Sequence, residues 1–168
     1  MPRMETSENK MDFERLWAVV TQRFQGTESS LHGPAHWKRV EKNGLLLAQS
    51  SGADIVVVRL FAVFHDSKRE NEGIDPDHGR RGAAYARELR DTCFEIDDVQ
   101  FDLLEVACNW HTDVTHHQNP SVGTCWDADR LDLGRVGITP DSKYMNTELG
   151  KQLASQCKDG CIRTDFAP

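Results

Sequence analysis

No stretch of this sequence comes near the ~20 consecutive apolar residues that a membrane-spanning helix needs, and residues 1–10 are polar, without the apolar core of a secretory signal. There is no excess of positive charge. The formal net charge is −7, so no chain-wide field draws in polymeric nucleic acid or an anionic membrane. The five cysteines (Cys93, Cys108, Cys125, Cys157, Cys161) form no Cys-x-x-Cys pair, which argues against a zinc knuckle and against a disulfide framework. Repeats, low-complexity tracts and internal linkers are missing as well. The expectation is one reduced, cytoplasmic domain over residues 1–168, with 1–10 outside the ordered part. At 168 residues it is long enough to bury a sizeable core.

The apolar periodicity is helical almost throughout. Residues 11–24 place Phe13, Leu16, Trp17 and Val20 on one stripe. After a loop over 26–33, Pro34 suits the first turn of a second helix, which carries Trp37, Val40, Leu45 and Leu47 up to the break at Ser50-Ser51-Gly52. The valine-rich run 53–65 has strand propensity, but its length favours a buried helix. Residues 70–77, with Gly73 and Pro76, read as a loop. Spans 78–90 and 96–110 are amphipathic. Residues 112–123 read as a polar loop, and Thr124 is the expected N-cap of a helix over 125–136. A weak helix is expected over 147–157. The predicted fold is all-α, a compact bundle of about six to seven helices.

Chemistry concentrates where the apolar run 55–64 ends in the doublet His65-Asp66. Burying those two polar groups without partners would cost a few kcal/mol each. More histidine and aspartate frame them: His32 and His36 upstream, His78, His111, Asp127, Asp129 and Asp132 downstream. Imidazole nitrogen and carboxylate oxygen are ligands for a divalent ion that needs no sulfur. Taken singly, each residue has an ordinary alternative: a core histidine bonded to a carbonyl, a helix C-terminus, or a solvated face paired with Arg130 and Arg135.

Their order along the chain resembles the HD superfamily of metal-dependent phosphohydrolases. His36-Trp-Lys-Arg39-Val40 is similar to the first motif, Phe64-His65-Asp66 to the doublet, and Ala128-Asp129-Arg130-Leu131 to the last, spanning about residues 31–136. The resemblance implies the HD helical bundle, with His36, His65, Asp66 and Asp129 as ligands of a first ion. It implies His78 and His111 either for a second ion or for substrate phosphate. The implied cofactor is one or two divalent ions (manganese, iron, zinc, nickel or magnesium). Asp127 competes with Asp129; motif register favours Asp129 and leaves Asp127 to orient an imidazole. Gly33-Pro34 places His32 in the loop rather than on the helix with His36. His116-His117 reads as surface.

The cations nearest these motifs are Lys68, Arg69, Arg80, Arg81 and Arg130, candidates for holding phosphoryl oxygens. Glu70, with Glu72 as its rival, is the candidate proton carrier, so the expected catalytic set is Asp66, Lys68, Arg69 and Glu70. Known HD branches differ here. The alarmone hydrolases carry a Glu-Asp pair after the doublet, the 5′-deoxynucleotidases a glutamate three residues on, and the cyclic-dinucleotide phosphodiesterases a Gly-Tyr-Pro signature. Specificity is expected from 113–125 and 133–140. The expected function is metal-dependent hydrolysis of a nucleotide or another small phosphorylated metabolite. The alternatives are a di-iron HD-type oxygenase and a nucleotide-sensing module without turnover.

Overall fold

The computed structural model describes residues 11–158; residues 1–10 and Cys161 lie outside the described residues. Seven α-helices run among them: α1 (Phe13–Gln22), α2 (Pro34–Ser51), α3 (Ile55–Phe64), α4 (His78–Leu89), α5 (Asp98–Trp110), α6 (Pro120–Arg130) and α7 (Glu148–Lys158). Short 3-10 turns, Leu133–Val136 and Ser142–Tyr144, join α6 to α7. No helix of the described residues is long and apolar enough to cross a membrane.

Helix α3 is the axis. Val57, Val58 and Leu60 to Phe64 are all buried, and α3 packs against α1, α2, α4, α5 and α6. A helix apolar on nearly every side, with Arg59 alone reaching out to Glu41, must sit inside, which explains why valine's strand propensity did not prevail. Its N-terminus is pinned by Asp54, whose Oδ1 accepts from the amides of Val56 and Val57. The other oxygen of Asp54 accepts from Gln100 Nε2 at 2.9 Å. Gln100 also completes the capping box of α5 with Asp97, so one carboxylate sets the start of α3 against the start of α5.

The start of α6 differs from expectation. It begins at Pro120, with Asn119 as N-cap accepting from the amides of Ser121 and Val122. Asn-Pro supplies both the capping oxygen and a first-turn proline, which displaces Thr124 from that role. Thr124 is instead buried and donates to Ser51 Oγ. The helix also ends earlier, at Arg130, and Leu133–Val136 is a 3-10 turn.

Two glycines bring α4 close to its neighbours. A Cβ on Gly79 would collide with the Cys108 carbonyl of α5, and one on Gly82 with the Phe64 carbonyl at the end of α3. The fit of α4 therefore relies on bare backbone at these positions. Gly82→Ala is expected to destabilise the protein by about 1–3 kcal/mol, because the clash is with backbone and cannot relax by rotation. Thermal melting against the unmodified protein tests this; an unchanged or higher Tm would contradict it.

Candidate metal centre

Five helix ends meet at one place. His36 lies in the first turn of α2 and His78 is the first residue of α4. His65-Asp66 follows α3 directly, His111 follows α5, and Asp129 lies in the last turn of α6. Three of the five are C-terminal ends, whose carbonyls present partial negative charge and favour a cation.

The imidazoles share one orientation. His65 Nδ1 faces the carbonyls of Phe61 (3.0 Å) and Ala62 (3.1 Å), and His111 Nδ1 faces that of Cys108 at 2.8 Å. His78 Nδ1 faces the Asp75 carbonyl, and His36 Nδ1 faces Asp132 Oδ2 at 2.6 Å. Each Nδ1 therefore acts as the N–H donor, leaving Nε2 as a lone pair that points inward.

Those lone pairs converge on carboxylates. His36 Nε2 is 3.1 Å from His65 Nε2, 3.5 Å from Asp66 Oδ2 and 3.2 Å from Asp129 Oδ1. His65 Nε2 is 3.6 Å from Asp66 Oδ2 and 3.7 Å from Asp129 Oδ1. On the far side of Asp66, its Oδ1 lies 3.2 Å from His78 Nε2 and 3.8 Å from His111 Nε2, and those two nitrogens are 2.9 Å apart. Asp66 thus faces two groups of acceptors, one per oxygen. Ligands bonded at ~2.0–2.1 Å in a tetrahedron stand about 3.3 Å from one another, the spacing found here. The groups His36–His65–Asp66 and Asp66–His78–His111 are each buried and compact enough to hold an ion. Asp129 Oδ1, buried without a hydrogen-bond partner, is an orphaned acceptor that a cation would satisfy.

His32 joins the cluster from its loop, with Nδ1 3.2 Å from Asp66 Oδ2. Its position is held from two directions. Trp37 Nε1 donates to the His32 carbonyl at 2.7 Å, and Glu72 accepts from Ser30 Oγ and the Leu31 amide. The sequence places His32 in a loop, as found, but a loop residue tied to residue 72 gives no local signal of its partner.

Several expected roles change. Asp127 orients no imidazole among the described residues: it is buried and accepts from the amides of Asn146 and Thr147 and from Thr147 Oγ1, anchoring the start of α7. Asp132 has the orienting role, shared between His36 Nδ1 and Arg39 Nε (2.8 Å). Glu70 is exposed and its carboxylate lies 3.6 Å from Arg81; Glu72 pins the His32 loop. Neither carboxylate is aimed at the cluster.

Of the five cations, Arg69 touches the cluster, with Nη1 3.4 Å from His78 Nδ1 and Nη2 donating to the Gly73 carbonyl. The Lys68 ammonium lies 3.8 Å over the Tyr85 ring. Arg80 is exposed and pairs with Asp77. Arg81 grips Asp75 with Nη2 and the Lys68 carbonyl with Nε, bracing the loop after the doublet. Arg130 donates to the carbonyls of Val114, Thr115 and Tyr144, so it staples loops. Arg81 and Arg130 are thus tied up by protein acceptors, whereas Lys68 has a ring contact and Arg80 a surface ion pair, neither directed at the cluster. His116 and His117 are exposed, as expected.

Burial pushes the His36 imidazole down, yet the carboxylates of Asp129, Asp132 and Asp66 facing its nitrogens outweigh it and lift the group to about 10. Burial lowers His65 to about 4. Asp66, although buried, is held well below the usual carboxylate range by His65, His111, His32 and His36. Without a cation, then, a proton on His36 occupies the place between the carboxylates.

No family model matches the chain, and no curated protein matches it. A solved structure does: the crystal structure of a predicted HD superfamily hydrolase from an uncultured Thermotogales bacterium. It is 24% identical, covers 88% of this chain and 85% of its own, and superposes with a TM-score of 0.70. The likeness establishes the fold, which is the HD helical fold that the motif order implies.

Two outcomes follow for the isolated protein. The His36 proton contributes stability that is complete below 6.5, the ordinary imidazole value, and is lost as pH rises through about 10. His65 acts oppositely: the unfolded chain takes up its proton at 6.5 and the folded one only near 4, so stability falls as pH drops between those values. In chelator, Tm should therefore peak near 6.5 and fall on both sides; a Tm rising steadily toward pH 9 would contradict the assignment. Uptake of Mn²⁺ at pH 8 should release protons, because the ion displaces the one on His36. Calorimetry in buffers of differing protonation enthalpy reads that release directly.

Proposed function

We propose that this protein is a metal-dependent phosphohydrolase of the HD type acting on a small phosphorylated metabolite, a nucleotide among the candidates. The observation that carries the reading is the set of four imidazoles, each fixed at Nδ1 and turning a bare Nε2 toward Asp66 or Asp129. Acceptors gathered in this way need a positive partner; a proton on His36 supplies one, and a divalent cation would satisfy more of them at once. His36, His65, Asp66 and Asp129 would hold one ion; Asp66, His78 and His111 would hold a second. Such ions, when bound, polarise a phosphoryl group and lower the pKa of water.

The chain's own residues supply the rest. Asp132 keeps His36 in the tautomer that offers Nε2, and Arg39 holds Asp132 in place. The carbonyls of Phe61, Asp75 and Cys108 do the same for the other three rings. His32 donates to Asp66 and limits its rotation. Protein ligands on the second side number three, leaving positions for substrate, as hydrolytic sites require.

Beside His111 lies a cavity of about 230 Å³, bordered by Arg130, Asp141 and Thr115 as well as by Leu133, Tyr144 and Met145. It is below the roughly 300–1,000 Å³ of drug-sized sites, which supports a compact leaving group. The acidic net charge supports a small substrate rather than a nucleic-acid polymer or a membrane.

Elemental analysis of the protein as isolated, followed by assay of an aryl phosphate and a panel of nucleotides and sugar phosphates with that metal, tests the reading. Asp66→Ala is expected to lose bound metal and turnover together, since it removes a ligand from both sides; full activity in a folded Asp66→Ala protein would end the proposal. Asp132→Asn should weaken metal binding by about 10–100-fold while the protein stays folded. Iron at two per chain with O₂ consumption and no phosphate release would favour the oxygenase alternative.

A further inference from the structure

Arg135 stands at the cluster although it is not among the cations that follow the motifs. Its side chain is only 9% exposed. Nε donates to the Leu31 carbonyl at 2.9 Å and Nη1 to the Asp132 carbonyl at 3.0 Å. Two carbonyls on separate segments thus fix the plane of the guanidinium. Nη2 is left 3.6 Å from Asp129 Oδ1, beyond hydrogen-bond length. Nη2 makes no hydrogen bond among the described residues, so a rigid corner carrying two N–H groups faces the cluster.

Charge neutralisation is only part of this placement: Nη1 also lies 3.9 Å from Asp132 Oδ2, and both carboxylates have other partners. Asp132 already has Arg39 and His36 as partners, and Asp129 is offered to His36 and His65. A guanidinium fixed beside a carboxylate that serves a cation repels that cation. The arrangement becomes favourable once an anion lies between the two positive charges.

We infer that Arg135 is the residue that recognises the substrate's phosphoryl group, receiving one of its oxygens on Nη2 beside Asp129. The inference rests on the hydrolase reading above. It replaces Lys68, Arg80, Arg81 and Arg130, whose cationic groups are engaged elsewhere. Arg69 borders the opposite side, next to His78. Because Arg135 offers a single corner, it suits one oxygen of a terminal phosphoryl group, not a bidentate grip. The pull of the metal and of Nη2 on the same anion makes the two ligands bind cooperatively.

Calorimetry on the full chain, with Mn²⁺ alone and then inorganic phosphate added to the Mn²⁺-loaded protein, separates the possibilities. Arg135→Gln should bind Mn²⁺ as tightly as the unmodified protein or more tightly, and bind phosphate about tenfold or more weakly, the size of a lost charge-assisted contact. Arg135→Lys keeps the charge but not the fork that anchors the head, so it too should lose phosphate affinity, by a smaller factor, with Tm and Mn²⁺ binding preserved. If Arg135→Gln binds Mn²⁺ less tightly and phosphate undiminished, or if Arg135→Lys matches the unmodified protein for phosphate, Arg135 merely supports Asp129 and the inference is overturned. Failure of the unmodified protein to bind Mn²⁺ would instead remove the hydrolase reading and this inference together.

Discussion

Each of four imidazoles is tied at Nδ1 to a carbonyl or carboxylate, and the rest of the site depends on that tie. A histidine free to flip or change tautomer can satisfy itself with a neighbour's proton. These four cannot, because the outer nitrogen already carries it, so their inner lone pairs face carboxylate oxygens. Such a collection of buried acceptors calls for something positive among them, which a proton on His36 or a divalent ion would supply. Burying acceptors with neither would cost several kcal/mol. Metal affinity and fold stability are therefore linked through the same atoms.

Helix termini make the convergence possible. Side chains within helices point along rows, whereas those at ends reach beyond the helix axis, and five ends at one point let residues far apart in sequence meet. The C-termini of α3, α5 and α6 add carbonyl dipoles of the sign a cation prefers. The close approach has a steric condition, met by Gly79 and Gly82, which let the first turns of α4 lie against the backbone of α3 and α5. The cap shared by Asp54 and Gln100 fixes the opposite ends of α3 and α5. A rigid axis with both ends located holds His65 and His111 at constant separation, with ring centroids 5.4 Å apart.

The helices were largely legible from apolar periodicity, because period and burial agree in α1, α4 and α5. Helix α6 was harder to place. Ser121 to Ala128 are all buried, polar residues included, so there is no polar face to define a period. Its true start was written in Asn119-Pro120, a capping signal hidden in a polar stretch. In the site, residues linked by short motifs came together: His36, His65, Asp66 and Asp129, with His78 and His111 beside them. Residues whose role depends on distant partners were misread. Asp132 finds His36 across 96 positions and Arg135 finds Leu31 across 104, whereas Lys68 and Arg81 lay close to the doublet in sequence and turned to Tyr85 and Asp75. Nearness along the chain was a poor guide to where a long cationic side chain ends.

To act on the proposed phosphorylated substrate, an acidic protein must reverse its field locally. Around His36 the carboxylates of Asp66, Asp129 and Asp132 outnumber the guanidinium groups of Arg39 and Arg135 by one. The proton on His36 brings the bare cluster to balance, so it offers phosphate no net attraction. A single divalent ion turns that local balance positive, and a second strengthens it on the side of His78 and Arg69. Within the ~8 Å over which charges act at physiological salt, this reversal outweighs the distant negative surface. Anion binding then waits on metal binding as a matter of electrostatics, without any movement of the helices. The same balance limits affinity for free metal, because Arg135 opposes it until an anion arrives. A site built this way would hold metal and phosphoryl group best together, as the proposed hydrolysis requires.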